Sequence, residues 1–288
     1  MVTKEMASLF KNTDFVRRYK LAEQLTSLFA GPLIAQSGLT SYPSSKPLTI
    51  LDNACGTGAV SSALHETLSA GVKENWKLTS GDFSEAMVEC SRERAREEGW
   101  VNSEVKIVDA TDTKLESEAF SHVLTGFAIP MLPDNDAALK ECLRILKPGG
   151  TYASTNWKTT PQIALMLSSL SSLTPALPLP DPVQFQKGIN KGWDEPSTII
   201  STLESAGFVD VTVTPVTDSV SIPISEFVEM NRSFAPGMLG RFWSKEQMEE
   251  YVPRLPGVMQ DALEAEFGVN GRVKLESVVM VVTAMKPE

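Results

Sequence analysis

The sequence predicts a doubly wound α/β fold: a mostly parallel, seven-stranded sheet with helical insertions. Three observations carry this. From Leu48 to Trp157 short apolar runs alternate with segments of helical period, the signature of βαβ units. The first apolar run ends in an acid and a turn of small residues, Asp52-Asn53-Ala54-Cys55-Gly56-Thr57-Gly58. Two further β-like runs, 209–216 and 274–285, lie beyond the interruptions and complete the sheet.

The elements follow in order. The first forty residues read as helical, with Phe15, Tyr19, Leu21, Leu25 and Leu28 near helical spacing, and form an N-terminal lid over 1–40. A Ser/Pro-rich linker at 41–47 leads into a core over 48–157. In it, strands are expected at 48–51, 76–80, 105–108, 122–125 and 151–155, with helices at 60–68, 84–98 and 135–146. The prolines between Pro175 and Pro182 forbid one continuous helix, so 158–196 is a cap insertion. The rest, 197–288, completes the core around a helix at 197–206, stopped by Gly207, and carries a second cap insertion at 224–267.

Composition narrows the partners. The chain has 288 residues and a formal charge of −10. That argues against nucleic acid, whose affinity comes from Lys and Arg neutralising phosphates. No apolar run approaches the roughly 18 residues of a membrane span, and no secretory signal is read at the N-terminus. Three cysteines without metal-ligand spacing suit a reducing compartment, so a cytoplasmic protein with no metal is expected, with a monomer favoured.

In the acid-and-glycine turn, Gly56 and Gly58 leave room for a ligand against the backbone, and the following helix offers free N–H donors. A dinucleotide turn would place a third glycine where Ser61 stands. Asp52 would repel a pyrophosphate and suits a cationic ligand with an amino group.

From this turn onward the chain resembles the class I S-adenosylmethionine-dependent methyltransferases, nearest the ubiquinone-biosynthesis-like and natural-product branch. Gly81-Asp82-Phe83 resembles the second-strand motif, in which the acid holds the ribose hydroxyls. Val108-Asp109-Ala110 resembles the adenine motif, the segment Phe120 to Ala128 the strand flanking the methyl, and Leu146-Lys147-Pro148-Gly149-Gly150 the turn before the fifth strand. The resemblance implies a Rossmann-like methyltransferase fold and S-adenosylmethionine as cofactor. It also implies a cofactor site at Asp52, Ala54, Gly56, Gly58, Asp82, Phe83, Asp109, Ala110, Thr125 and Phe127. Ala54 replaces the family's usual first glycine, Ser121 the usual acid, and Pro130 and Met131 a His pair found in many relatives.

A substrate wall is expected from Phe10, Tyr19, Met131, Trp157, Trp193, Phe234 and Trp243, an apolar set suited to a small secondary metabolite. With two histidines in the chain, His65 read as a surface residue and His122 as core, no catalytic residue is named. Asp134 and Asp136, the candidate metal carboxylates, read instead as the start of a helix. Transfer by proximity and desolvation to an O, N or S atom is the reading. The alternative is a protein that keeps the fold and binds the cofactor without methylating, as a cyclase or regulatory module.

Overall fold

The computed structural model describes residues 13–288, with side chains from Tyr19 onward. Helices α1 (Thr13–Thr26) and α2 (Ala30–Gln36) precede β1 (Leu48–Asn53). The doubly wound part runs through α3 (Ala59–Thr67), α4 (Ala70–Glu74), β2 (Trp76–Asp82), α5 (Glu85–Glu98), β3 (Ser103–Ile107), β4 (Phe120–Gly126), α6 (Asn135–Ile145) and β5 (Leu146–Thr159). Then come α7 (Pro161–Leu170), α8 (Pro182–Asn190), α9 (Pro196–Ala206), β6 (Val209–Pro223), α10 (Ile224–Leu239), α11 (Lys245–Tyr251), α12 (Leu255–Phe267) and β7 (Arg272–Met285).

The seven strands form one sheet in the order β3-β2-β1-β4-β5-β7-β6. β1 to β5 run parallel, and β7 is antiparallel to both its neighbours. β1, the first strand in sequence, lies between β2 and β4, so the carboxyl ends of β1, β2 and β4 open around the place where strand order reverses. In open α/β sheets a ligand is bound at that place.

Burial follows from the sequence pattern. One apolar cluster, including Leu51, Val123, Leu139, Tyr152, Ile199 and Phe208, packs one side of the sheet under α6 and α9. Another unites Ile50, Leu64, Trp76 and Val279 with Phe29, Leu33, Ile34 and Leu39. The N-terminal segment therefore divides: Phe29, Leu33, Ile34 and Leu39 are buried in the central core, with Phe29 and Leu33 also reaching the cleft, and α1 lies over the carboxyl edge. A third cluster is the interior of the cap. Met166 and Leu170 of α7, Phe227 and Leu239 of α10 and Met259 of α12 share it with Ala22 and Leu25 of α1. The two insertions, apart in sequence, thus form one apolar body.

Candidate functional site

The site is built on the turn after β1. Ala54 and Gly56 both take positive φ, 56° and 55°, lifting the turn clear of the helix that follows. Asp52, fully buried, reaches across the turn: its Oδ2 accepts from the Ser61 backbone N–H (3.0 Å) and hydroxyl (2.6 Å), while Oδ1 has no partner in the structure. Burial raises its carboxyl from 3.8 to about 7. Asp82, at the end of β2, ties this turn to the next. Its Oδ2 accepts from the Gly56 N–H at 3.0 Å and its Oδ1 from the Ser84 N–H at 2.9 Å. Burial, only partly offset by those N–H groups, raises it from 3.8 to about 6.

Two compartments that share part of their lining adjoin these acids. The smaller, about 50 Å³, is lined by Glu23, Asp52, Cys55, Thr57, Phe29 and Thr155, among others. The larger, about 170 Å³, is lined by Asp82, Phe83, Met87, Asp109, Ala110 and the run 126–128 and 131–133. Tyr19, Ala54, Gly56, Gly126 and Phe127 line both. Phe127 stands at the junction with a positive φ of 58°, a conformation a bulky residue adopts only where the surroundings impose it. Trp157 stacks on it at 4.3 Å between ring centroids, and Phe29 meets both rings edge-on. Tyr19 overhangs the junction; burial, with Glu23 and Asp82 near, raises its hydroxyl to about 12. Cys55 is buried and its thiol is pushed far up, so it is no nucleophile.

Comparison with known proteins decides the family. The family described as "Methyltransferase domain" matches residues 50–150. Over 98% of this chain and the whole of the relative, the sequence is 39% identical to the methyltransferase tpcH of Aspergillus fumigatus. Over the full length of both, it is 37% identical to the acetylaranotin bis-thiomethyltransferase of Aspergillus terreus. The chain belongs to the class I S-adenosylmethionine-dependent methyltransferases. The fold agrees. A phosphoethanolamine N-methyltransferase 2 of Haemonchus contortus, solved with S-adenosylhomocysteine, superposes with a TM-score of 0.58 at 14% identity, over 100% of this chain and 60% of that one.

In this methyltransferase Asp52, Ala54, Gly56, Asp82, Phe83, Asp109, Ala110, Phe127, Tyr19 and Met131 are brought to one cleft. The others have different surroundings. A Cβ on Gly58 would stand 2.7 Å from Ser91 Oγ and 2.9 Å from Trp100, so this glycine makes room for a helix and not for a ligand. Thr125 lines neither compartment and is buried beside Tyr152. Trp193 is 3% exposed within the cluster under the sheet. Trp243 is buried in the cap, its Nε1 donating to Pro178 O at 2.7 Å, a bond between the two insertions. Phe234 packs against the cap's interior. These rings build walls but do not face the cleft; their size and apolarity are spent on the clusters they close. Trp157 supports Phe127 from behind. Phe10 lies outside the described residues. Asp109 is exposed, and one of its oxygens accepts from the Thr111 N–H and hydroxyl.

The histidines also resolve. His65 is not a bare surface residue: it lies stacked on Trp100 and edge-on to Trp76, with Nε2 3.0 Å from Ser103 Oγ. His122 is 7% exposed, as a core histidine should be, and desolvation lowers it to about 4. Asp134 caps α6 by accepting from the Ala137 N–H, and Asp136 sits in that helix's first turn. Among the described residues no group of three or more His, Cys, Asp or Glu could hold a metal, and no helix is long and apolar enough to cross a membrane.

Sequence reasoning missed Glu23, Thr57 and Met87. Glu23 left a signal: it follows Tyr19 by four residues, on the same helix face.

Proposed function

We infer that the cleft holds S-adenosylmethionine with its amino-acid end in the smaller compartment and its adenosine in the larger, and that the acceptor is a small, largely apolar metabolite reaching the junction at Phe127. The residues fit the cofactor. Asp52 offers a buried, unpartnered oxygen to an ammonium, and a Cβ on Gly56 would meet nothing within 4 Å, the open cradle that a ligand against the backbone needs. Asp82 and Asp109 would serve the ribose hydroxyls and the adenine amino group, with Phe83, Met87 and Ala110 as apolar contacts.

When bound, the cofactor supplies an electrophilic methyl on a sulfonium. The chain's part is to hold, align and dry. Phe127, backed by Trp157 and Phe29, fixes one wall; Met131, Leu132 and Pro133 give an apolar bed for the acceptor. Excluding water strengthens the field of the acids below and removes a competing nucleophile.

The observation that carries the reading is what this wall lacks. From 126 to 133 no lining side chain can take a proton, and the Tyr19 hydroxyl, raised to about 12, stays protonated at neutral pH and cannot serve as the base. An acceptor that ionises by itself, a thiol or an acidic phenol, needs no protein base. The relative named a bis-thiomethyltransferase supports the thiol. The test is S-adenosylhomocysteine formation with matched thiols, phenols and alcohols. The rate should rise with pH along each acceptor's own ionisation, and alcohols should react slowest. Equal rates with neutral alcohols at neutral pH would overturn the reading.

A further inference from the structure

Helix α1 brings the Glu23 carboxylate into the cleft. Glu23, its side chain 13% exposed, lines the smaller compartment together with Asp52. Its Oε2 accepts from the Thr57 hydroxyl, in the turn after β1, and its Oε1 from Arg94 Nη2 of α5 at 2.5 Å. Taking such a pair out of water is costly unless the geometry returns the loss. The same helix is fastened to the cap: Ala22 and Leu25 belong to the cap's apolar cluster, and Gln24 Nε2 donates to Glu226 Oε2 of α10 at 3.0 Å. One turn of α1 therefore touches both the cofactor loop and the cap.

The geometry points to Glu23 as a second acid for the cofactor's ammonium group, so that filling the smaller compartment also draws α1 and the cap onto the cleft. This rests on placing the amino-acid end of the cofactor in that compartment. Asp52 alone is a weak counterion. One of its oxygens is committed to Ser61, and burial leaves the carboxyl near half protonation at neutral pH. Glu23 sits against a guanidinium that keeps its charge, and a carboxylate can accept from further donors beside Arg94 and Thr57. Two acids and one guanidinium complement an ammonium, and the contact spans two separately packed elements. Occupancy then becomes a coupling free energy between the cofactor site and the cap, which acts on substrate binding and cofactor binding alike.

A merely structural ion pair predicts otherwise, and two ligands separate the cases. S-Adenosylhomocysteine carries the amino-acid end, whereas 5′-methylthioadenosine lacks it. In calorimetric titration Glu23→Gln keeps the size and an oxygen for Arg94, while its NH2 can donate to the Thr57 hydroxyl. Its affinity for S-adenosylhomocysteine should fall by about tenfold to a hundredfold, while that for 5′-methylthioadenosine stays within about twofold. S-Adenosylhomocysteine should also protect α1 from protease in the unmutated protein and not in the variant. If Glu23→Gln does not fold, Glu23→Asp, which withdraws the carboxylate by one methylene, should show the same selective loss. Equal weakening for both ligands, or none, overturns the role of Glu23. An unmutated protein that binds 5′-methylthioadenosine as tightly as S-adenosylhomocysteine overturns instead the placing of the amino-acid end, and this inference with it.

Discussion

Asp82 accepts from the Gly56 and Ser84 N–H groups, and the Phe83 N–H also favours its charge, yet a carboxylate has about four acceptor sites, so a ribose hydroxyl can still be received. Asp82→Asn should weaken S-adenosylhomocysteine by about tenfold to a hundredfold in calorimetry, because charge-assisted bonds become neutral ones. An unchanged affinity in the folded variant would remove Asp82 from the site. The same charge sets a pH dependence. Ligand hydroxyls and an ammonium favour ionised carboxylates, so affinity should fall as pH drops through about 7 and then about 6, the values to which burial raises Asp52 and Asp82. Asp82→Asn should leave only the upper step. His122 gives a stability prediction of definite sign. Its folded value is lowered from 6.5 to about 4, so the unfolded chain binds the extra proton and stability is lost as pH falls from 6.5 towards 4. At pH 5 keeping the ring neutral costs about 2 kcal/mol. His122→Gln should thus gain on the parent protein by about that amount between pH 7.5 and pH 5 in denaturant titrations. A difference independent of pH would mean that the ring is not held neutral.

The turn after β1 shows how far local sequence reaches at the scale of an element. Asp52, Gly56 and the start of α3 were legible because small residues between a strand and a helix leave few backbone solutions. The separate jobs of the two glycines were not, since both spell the same motif. Gly56→Ala places a Cβ in open space at a positive φ, a backbone cost of about 1 kcal/mol. Gly58→Ala drives a Cβ into Ser91 and Trp100, at about 2–4 kcal/mol. Melting and titration together should show Gly58→Ala losing stability, and Gly56→Ala losing at least about tenfold in cofactor affinity with little change in melting. The opposite pattern would exchange their roles. Strand lengths were harder to read. β5 extends back through Pro148, Gly149 and Gly150 to Leu146, and β6 runs through Pro215 to Pro223. Proline and glycine look like breakers in sequence. An edge strand such as β6, however, has N–H groups with no ladder to serve.

The whole molecule is a sheet with a separately cored cap, joined by α1 and by Trp157, which packs against both the cap cluster and the central one. The class of fold was readable from the alternation between Leu48 and Trp157. The unity of the cap was not, because Met166 and Phe227 meet only after β6 has carried the chain away, and no periodicity encodes a contact at that separation. For the same reason Trp193 and Trp243 looked like pocket walls in sequence, although tertiary packing had claimed both. The division of the N-terminal segment carries a prediction of its own. Phe29, Leu33, Ile34 and Leu39 are locked in the central core, whereas the described side chains of α1 are held to the cap and the cofactor loop through Tyr19, Leu21, Ala22, Leu25, Gln24 and the Glu23 clasp. Segments held in this way open first, and a ligand bridging them to the body stabilises the closed state by mass action. Lys20 is exposed on α1 and gives trypsin a site. Without ligand, cleavage after Lys20 should precede any cut in the sheet. Saturating S-adenosylhomocysteine should slow it by about tenfold or more, and the dinucleotide NAD should not. Equal cleavage with and without S-adenosylhomocysteine, at a concentration where calorimetry shows the site filled, would mean that α1 moves independently of the cofactor and that its closure is no part of catalysis.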